Sequence, residues 1–163
     1  MPELQSFYRS WIDGSEASDK QGEFLPVNDK FCSEVIARVA LATAEQLEQA
    51  IESGLRAFSE YSRQSIGDRA ALIRQIRLKL ELERDFFEKL IVSEAGKPIQ
   101  LASQEVDRCL LTLEAGEREC LQFSGEMIPS DMGIGKGKYA FTQWVPAGLV
   151  LGFTPFNFPL NLA

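Results

Sequence analysis

The chain has 163 residues, 45% of them hydrophobic and 25% charged, which excludes a disordered or fibrous protein and suits one soluble globular domain. The 17 Lys and Arg residues are outnumbered by 24 Asp and Glu residues, and the net charge of −7 argues against a nucleic-acid partner. Histidine is absent, so the chain cannot by itself supply Ser-His-Asp or Cys-His nucleophile activation, or most zinc chemistry.

Targeting signals and cysteine pairing are also not indicated. No apolar run approaches the roughly 20 residues of a membrane-spanning helix, and the opening residues lack the basic-then-apolar pattern of a secretory signal. Cys32, Cys109 and Cys120 are odd in number and have no Cys-x-x-Cys spacing, so neither a disulfide framework nor a metal site is predicted. We therefore expect a cytoplasmic protein with no membrane partner and with reduced thiols.

The first forty residues have the pattern of short strands and turns. Residues 7–12 favour a strand, Asp13-Gly14 is a turn signal, and residues 15–23 are polar enough for a loop. Residues 34–40 alternate between apolar and polar side chains, as a half-buried strand does. We expect this opening segment to pair with a larger body.

Three helices are predicted next. The first begins at Thr43, which with Gln46 fits a capping box, and the second begins at Ser65. Gly96 is a suitable left-handed stop for the second helix, although a break near residues 83–85 would shorten this unusually long run. The third helix is expected over residues 99–123.

After the helices the pattern becomes strand-like. Residues 125–138 are rich in glycine and predict a turn, and residues 139–144 predict a strand. Residues 149–154 form a nearly continuous apolar run, which is typical of a strand buried on both faces of a parallel sheet. Such a strand needs a crossover helix and a neighbouring strand. Because neither follows in the sequence, we expect a fragment of a larger fold, unless another chain supplies the rest of the sheet.

Asn157 is the residue with the clearest chemical potential. It follows the predicted buried strand, at the edge of the sheet where open α/β folds bind ligands. Prolines at 155 and 159 restrict the preceding residues to extended conformations, so the loop should be stiff. The Asn157 amide could therefore be a preorganised donor to an oxyanion, or it could simply stabilise a turn.

Five motifs are spread over essentially the whole chain. The most specific is the stretch from Trp144 to Leu162, in which a Pro-x-Gly turn precedes a strand and a Pro-Phe-Asn-Phe-Pro loop follows it. The others are Trp11-Ile12-Asp13-Gly14, Glu94-Ala95-Gly96-Lys97-Pro98, Glu105-Val106 and Gly125-Glu126-Met127-Ile128-Pro129. In this order, the five motifs resemble those of the aldehyde dehydrogenase superfamily.

The resemblance implies roles for eight residues, and NAD or NADP as cofactor. Asn157 matches the oxyanion-hole residue of the family, which makes it the catalytic candidate. The residues before it match the cofactor-binding loop, and three others match the lining of the aldehyde tunnel. The cofactor candidates are Phe153, Thr154, Pro155 and Phe156, and the substrate candidates are Arg108, Phe158 and Leu162.

The cofactor and substrate candidates also have plain structural interpretations. Without the resemblance, residues 153–156 are strand-end core residues, and Phe158 and Leu162 are ordinary packing residues at the start of a helix. Arg108 could bind an anionic substrate group bidentately, or could be a surface residue paired with Glu105, Asp107 or Glu114.

Two further features bear on function. The glycines of residues 133–138 do not form a phosphate-binding loop, because a predicted helix precedes them and a predicted strand follows, the reverse of the order that such loops need. The resemblance instead implies that residues 136–146 belong to an oligomerisation arm of a homodimer or homotetramer. It also places the nucleophilic Cys and the general-base Glu in a part of the family sequence that this chain does not include.

The sequence therefore predicts an α/β fold, in which short strands and three helices lead into the first strand of a Rossmann-type parallel sheet. Residues 1–163 would be the N-terminal part of a dinucleotide-binding domain. The implied activity is oxidation of a small aldehyde to a carboxylic acid with NAD(P)+, with this segment inactive alone. The alternatives are a CoA-acylating or phosphate-handling semialdehyde dehydrogenase, and a noncatalytic oligomerisation or binding module.

Overall fold

A computed structural model describes residues 7–18 and 23–163. The opening hexapeptide and part of the predicted loop at residues 15–23 lie outside the described residues. The strands and helices in chain order are β1 Phe7–Tyr8, β2 Trp11–Ile12, β3 Ser15–Glu16, β4 Phe24–Asn28, β5 Val35–Ala40, α1 Ala44–Tyr61, α2 Ile66–Leu82, α3 Arg84–Ala95, α4 Ile99–Gln122, β6 Met127–Ile128 and β7 Ala140–Phe141.

The opening strands form two small sheets. The strands at the start and at residues 35–40 agree with the prediction, but the predicted strand at 7–12 is divided into β1 and β2, and β3 lies in the predicted loop. The larger has the order β1-β5-β4, with β1 parallel and β4 antiparallel to β5. The smaller is the β2–β3 hairpin, whose two turn residues Asp13 and Gly14 have φ values of 54° and 74°. Positive φ at both positions is the geometry that matches the twist of a tight hairpin. Asp13 also accepts a hydrogen bond of 2.9 Å from Ser53, which fixes the turn to α1.

Helix α1 begins as its sequence predicts. The Thr43 hydroxyl accepts a hydrogen bond from the Gln46 amide at 3.2 Å, and the Gln46 side chain accepts one from the Thr43 amide at 2.9 Å. This capping box satisfies two backbone groups that would otherwise lack partners. The apolar stripe of the helix is nevertheless partly uncovered, because Leu47 and Leu55 are exposed.

The second predicted helix is divided into α2 and α3 at Glu83, so the described residues contain four helices rather than three. Glu83 has φ −104° and ψ 18°, outside the helical range, and its amide still bonds to carbonyls of α2. The Ser65 hydroxyl caps α2 by accepting from Asp68. At the far end, Gly96 has φ 67° and terminates α3, as predicted.

Helix α4 packs against α2 and α3 and contributes Ala102, Val106 and Cys109 to the buried core. Ala102 and Val106 of α4 are fully buried and contact Ile91 of α3. Leu80, Phe87 and Leu160 pack around this cluster, so the core reaches the loop that follows residue 157. Across residues 7–18 and 23–163, no helix combines the length and hydrophobicity needed to cross a bilayer.

The glycine-rich segment connects β6 to β7, which pair in an antiparallel hairpin with Met127 opposite Phe141. The connection includes a short 3₁₀ turn at Gly133–Gly135. A strand therefore precedes these glycines as well as following them, which agrees with the conclusion that they do not form a phosphate-binding loop.

The strand predicted at residues 149–154 is not formed, and this part of the fold prediction is corrected. The segment is largely exposed, with Val150 at 78% and Phe153 at 88% of full exposure, and it pairs with no strand among the described residues. The physical reason is that a parallel strand exists only where a neighbour satisfies its backbone groups. Leu149 of this segment approaches α1 closely, since a Cβ added to Gly54 would lie 2.6 Å from Leu149 Cδ1.

Candidate active site

A cleft of about 720 Å³ lies between the loop at residues 154–159, the end of β4 and the end of α3. Asn157 lines it, together with three of the four predicted cofactor-binding residues, Thr154, Pro155 and Phe156. The opposite walls contribute two positive side chains and one carboxylate, from Lys30, Lys97 and Glu94. The structure therefore brings the central part of the predicted site to one concave surface that has both apolar and charged side chains.

The backbone around Asn157 has an uncommon conformation. Phe158 has φ 54°, in the left-handed region that aromatic residues rarely adopt, and not the extended conformation predicted for the residue before Pro159. A helical turn follows, in which the Leu162 amide donates to the Phe158 carbonyl at 3.1 Å. The Asn157 side chain is exposed and makes no hydrogen bond to any residue that the structure describes. Its amide donor is therefore free for a ligand.

The residues after Phe158 are fixed to α4 by a set of polar contacts. The Leu160 amide donates to Glu105 Oε1 at 2.8 Å, and the Leu160 carbonyl lies 3.7 Å from Cys109 Sγ. One turn further along α4, the Thr112 hydroxyl donates to Asn161 Oδ1 at 3.0 Å. Since the Leu160 side chain also packs on the core cluster, this end of the loop is held by backbone and side chain together.

The Phe158 ring lies close to two positive side chains. Lys97 Nζ is 4.0 Å from the ring centroid, and the Arg108 guanidinium carbon is 5.2 Å from it. Cations at these distances are attracted to the face of an aromatic ring. Lys97 also forms an ion pair of 2.5 Å with Glu105 Oε2. The sequence placed Lys97 at the helix end without a site role, whereas the structure places it beside the candidate loop.

The acidic neighbours proposed as partners of Arg108 are engaged elsewhere. Glu105 pairs with Lys97, Asp107 with Arg84, and Glu114 with Arg118. Within the described part of the chain, no carboxylate pairs with Arg108, which is exposed. The structure therefore shows none of the three ion pairs considered for Arg108, and its binding of an anionic substrate stays a prediction.

The Cys109 thiol is not activated as a nucleophile. It is buried, and burial raises the pKa of its thiol, with a smaller contribution from the nearby negative charge of Glu105. A raised pKa leaves the sulfur protonated at neutral pH, whereas nucleophilic cysteines are activated by a lowered one. Cys109 thus serves as a packing residue and a weak hydrogen-bond donor.

The cleft lining does not include four of the predicted site residues, Arg108, Phe153, Phe158 and Leu162. Phe153 is almost fully exposed on the unpaired segment, and Leu162 is 54% exposed beyond the helical turn. Sequence reasoning missed the contribution of Glu105 to the loop, although a signal was present. Glu105 is spaced three residues from Ala102 and four from Cys109, so it is a charged residue on an otherwise apolar helix face.

Residues 17–163 match the sequence profile of the aldehyde dehydrogenase family. The chain belongs to this family. Its α/β architecture of short strands and helices agrees with that of solved aldehyde dehydrogenases. Aldehyde dehydrogenase 21 from Physcomitrella patens, solved in complex with the reaction product succinate, matches 99% of the chain with a TM-score of 0.90 and 27% identity.

Other relatives in the aldehyde dehydrogenase family carry informative ligands or names. Aspartate-semialdehyde dehydrogenase 1 of Pseudomonas canavaninivorans is 33% identical over 142 residues, which are 85% of this chain. Betaine aldehyde dehydrogenase from Staphylococcus aureus, solved in complex with NAD+, matches 76% of the chain with a TM-score of 0.71 and 25% identity. The chain spans between a quarter and a third of the length of these proteins. It covers 30% of the Pseudomonas canavaninivorans protein, 25% of the Staphylococcus aureus protein and 33% of the Physcomitrella patens protein.

Proposed function

We propose that this chain is the part of an NAD(P)-dependent aldehyde dehydrogenase that supplies the oxyanion-stabilising amide of Asn157 and the loop facing the nicotinamide. The observation that carries the proposal is the position of Asn157. Its unpartnered amide lines the cleft, on a loop anchored to α4, in a chain that belongs to the aldehyde dehydrogenase family. A fixed donor of this kind stabilises negative charge that develops on a reacting carbonyl oxygen.

The proposed reaction begins with a cysteine thiolate from another part of the complete protein attacking the aldehyde carbon. The carbonyl electrons move to oxygen, and Asn157 donates a hydrogen bond to that oxyanion. A nicotinamide cofactor, if bound against residues 154–156, would supply the hydride acceptor for the oxidation of this carbon. Water would then hydrolyse the thioester to the acid and the free thiol. Within this scheme, residues 154–156 shape the wall of the cofactor cleft.

Replacing Asn157 by Ala in the complete protein tests the catalytic role. We expect kcat for aldehyde oxidation to fall about 10²- to 10³-fold with little change in the affinity for NAD(P)+, because the lost donor acts mainly in the transition state. Gln104→Ala, which removes an exposed amide from α4, is the control and should keep the activity. A variant at Asn157 with unchanged kcat would remove the basis of the proposal.

We propose that the substrates are aldehydes that carry an anionic group in addition to the aldehyde group. Arg108 supports this because it lies beside the Phe158 ring, has no carboxylate partner among the described residues and is exposed. The names of two relatives point the same way, since aspartate semialdehyde and succinate both carry carboxylates. A guanidinium binds such groups through two parallel hydrogen bonds.

The substrate proposal predicts a selective effect of Arg108→Leu. We expect KM for anionic aldehydes to rise about tenfold or more, with little change for neutral aldehydes, because only the former lose a charged contact. Arg118→Leu removes an exposed arginine from the same helix and should leave both KM values unchanged. Equal effects of Arg108→Leu on both classes of aldehyde would contradict the assignment.

We also propose that residues 136–146 contribute to an assembly arm. The supporting features are the β6–β7 hairpin and its exposed apolar side chains Met127, Phe141 and Trp144. Exposed apolar surface of this kind commonly marks an interface. Phe141→Asp is expected to lower the mass of the complete protein in sedimentation, while an unchanged mass would exclude this surface.

A further inference from the structure

Glu105 is a carboxylate in the centre of the hydrophobic core. The residue is 1% exposed, and its neighbours on the same face of α4 are Ala102, Val106 and Cys109. An ionised carboxylate in such surroundings is costly unless both oxygens have polar partners. Its place in the core therefore depends on the groups that it contacts.

Those partners come from two separate segments of the chain. Glu105 Oε2 contacts Lys97 Nζ at 2.5 Å, in the connection between α3 and α4. Glu105 Oε1 accepts the Leu160 amide at 2.8 Å and the Asn161 amide at 3.4 Å, in the loop after Asn157. Glu105 thus joins the end of α3 to the candidate catalytic loop through α4.

We propose that Glu105 is a positioning residue that sets the orientation of the Asn157 amide, an inference that rests on the proposed function. The bonded amide of Leu160 is three residues from Asn157. On the other side, Lys97 is held by Glu105 and lies over the ring of Phe158, the residue directly after Asn157. One carboxylate therefore fixes both the backbone after Phe158 and the cation above its ring.

The negative charge of Glu105 is essential to this arrangement. A charged acceptor binds backbone amides more strongly than a neutral one does. Glu105→Gln has nearly the same shape, but if its oxygen still accepts from Leu160, its amide nitrogen must face the Lys97 ammonium, and both groups are donors. The substitution therefore displaces Lys97 or releases the Leu160 amide, and in either case the Asn157 loop loses a restraint.

The test is steady-state kinetics of Glu105→Gln in the complete protein. We expect kcat to fall about 10- to 100-fold, as for a displaced catalytic group, while KM for the aldehyde and the dissociation constant of NAD(P)+ stay near their original values. The matched control is Glu117→Gln, which neutralises another largely buried carboxylate of α4, paired with Arg74 away from the loop. An equal loss of kcat in the control would overturn the proposal.

A double-variant experiment separates positioning from general damage. If Glu105 acts through Asn157, adding Glu105→Gln to Asn157→Ala should lower kcat by less than twofold further, because the amide that it orients is already gone. A full 10- to 100-fold loss in the Asn157→Ala background would show that Glu105 acts by another route.

Two further measurements cover the remaining outcomes. If Glu105→Gln fails to fold because Lys97 is left unpaired, the double variant Lys97→Met with Glu105→Gln removes both charges and should fold with the same low kcat. If the original protein oxidises no aldehyde, the proposed function fails, yet the contact is still testable by amide hydrogen exchange. Glu105→Gln should then speed exchange at Leu160 and Asn161 at least tenfold, whereas unchanged exchange would refute the positioning role.

Discussion

Helix α4 and the segment at residues 149–156 are both rich in apolar side chains, yet they differ in what surrounds them. On α4, Ala102 and Val106 are fully buried against α3 and the loop at Leu160. On the segment, Val150, Leu151 and Phe153 are exposed, and no described strand pairs with them. A helix forms its backbone hydrogen bonds internally, whereas a strand needs a neighbour. The two regions show that apolar sequence becomes core only where its backbone is already satisfied.

The largest expected effect on stability comes from a comparison of one Val→Ala substitution in each region. Val106→Ala should lower the free energy of unfolding by about 2 kcal/mol, because it leaves a cavity in the α3–α4 core. Val150→Ala should change it by less than about 0.5 kcal/mol, as is usual at an exposed site. Urea denaturation of both variants measures the difference. Similar losses would mean that the segment is part of the core in solution.

A second comparison tests backbone geometry with two glycines, one at the end of a helix and one inside a helix. Gly96→Ala should destabilise the chain by about 1–2 kcal/mol, since its φ of 67° disfavours a Cβ, which would also lie 2.9 Å from Lys30 Cβ. Gly116→Ala, inside α4 with only Ile73 Cδ1 at 3.9 Å, should instead stabilise it by about 0.5–1 kcal/mol. Thermal unfolding of the two variants gives the sign of each change. A loss at both positions would indicate crowding rather than backbone strain.

The smallest expected effect is on how stability changes with pH, and it comes from the contact between Arg74 and Glu117 of α4. The hydrogen bond from Arg74 holds the pKa of Glu117 below its ordinary value. A lowered pKa contributes stability that is fully present above the ordinary Glu pKa of about 4.3 and is lost as the pH falls through the lowered value. The urea midpoint of the original chain should therefore fall more steeply below about pH 4 than that of Glu117→Gln. Parallel curves would show that the ion pair contributes no stability.

The parts of the fold that local chemistry determines could be predicted from the sequence. The Thr43 capping box, the Ser65 cap and the left-handed Gly96 each depend on residues within one helical turn, and the structure has all three. The division of α2 from α3 at Glu83 falls within the possible break at residues 83–85, although no proline or glycine marks it.

The sequence predicted those parts of the candidate site that lie in a recognisable motif. It did not predict contacts between residues that are far apart in the chain. The Pro-Phe-Asn-Phe-Pro loop drew attention to Asn157 and its neighbours, which line the cleft. Glu105 and Leu160 are 55 residues apart, and no periodicity or spacing links them. The same limit explains the strand predicted at residues 149–154, because its apolar pattern is a property of the segment while its pairing is a property of a neighbour.

The left-handed backbone of Phe158 has a consequence for how freely this region can evolve. A side chain other than glycine in that conformation costs on the order of 1–2 kcal/mol, whereas a folded domain typically retains about 5–15 kcal/mol in total. The bend beside Asn157 thus lowers the free energy of unfolding by an amount that is sizeable compared with the total. Homologues with this bend should therefore tolerate fewer destabilising substitutions in the packed helices than homologues with an unstrained turn.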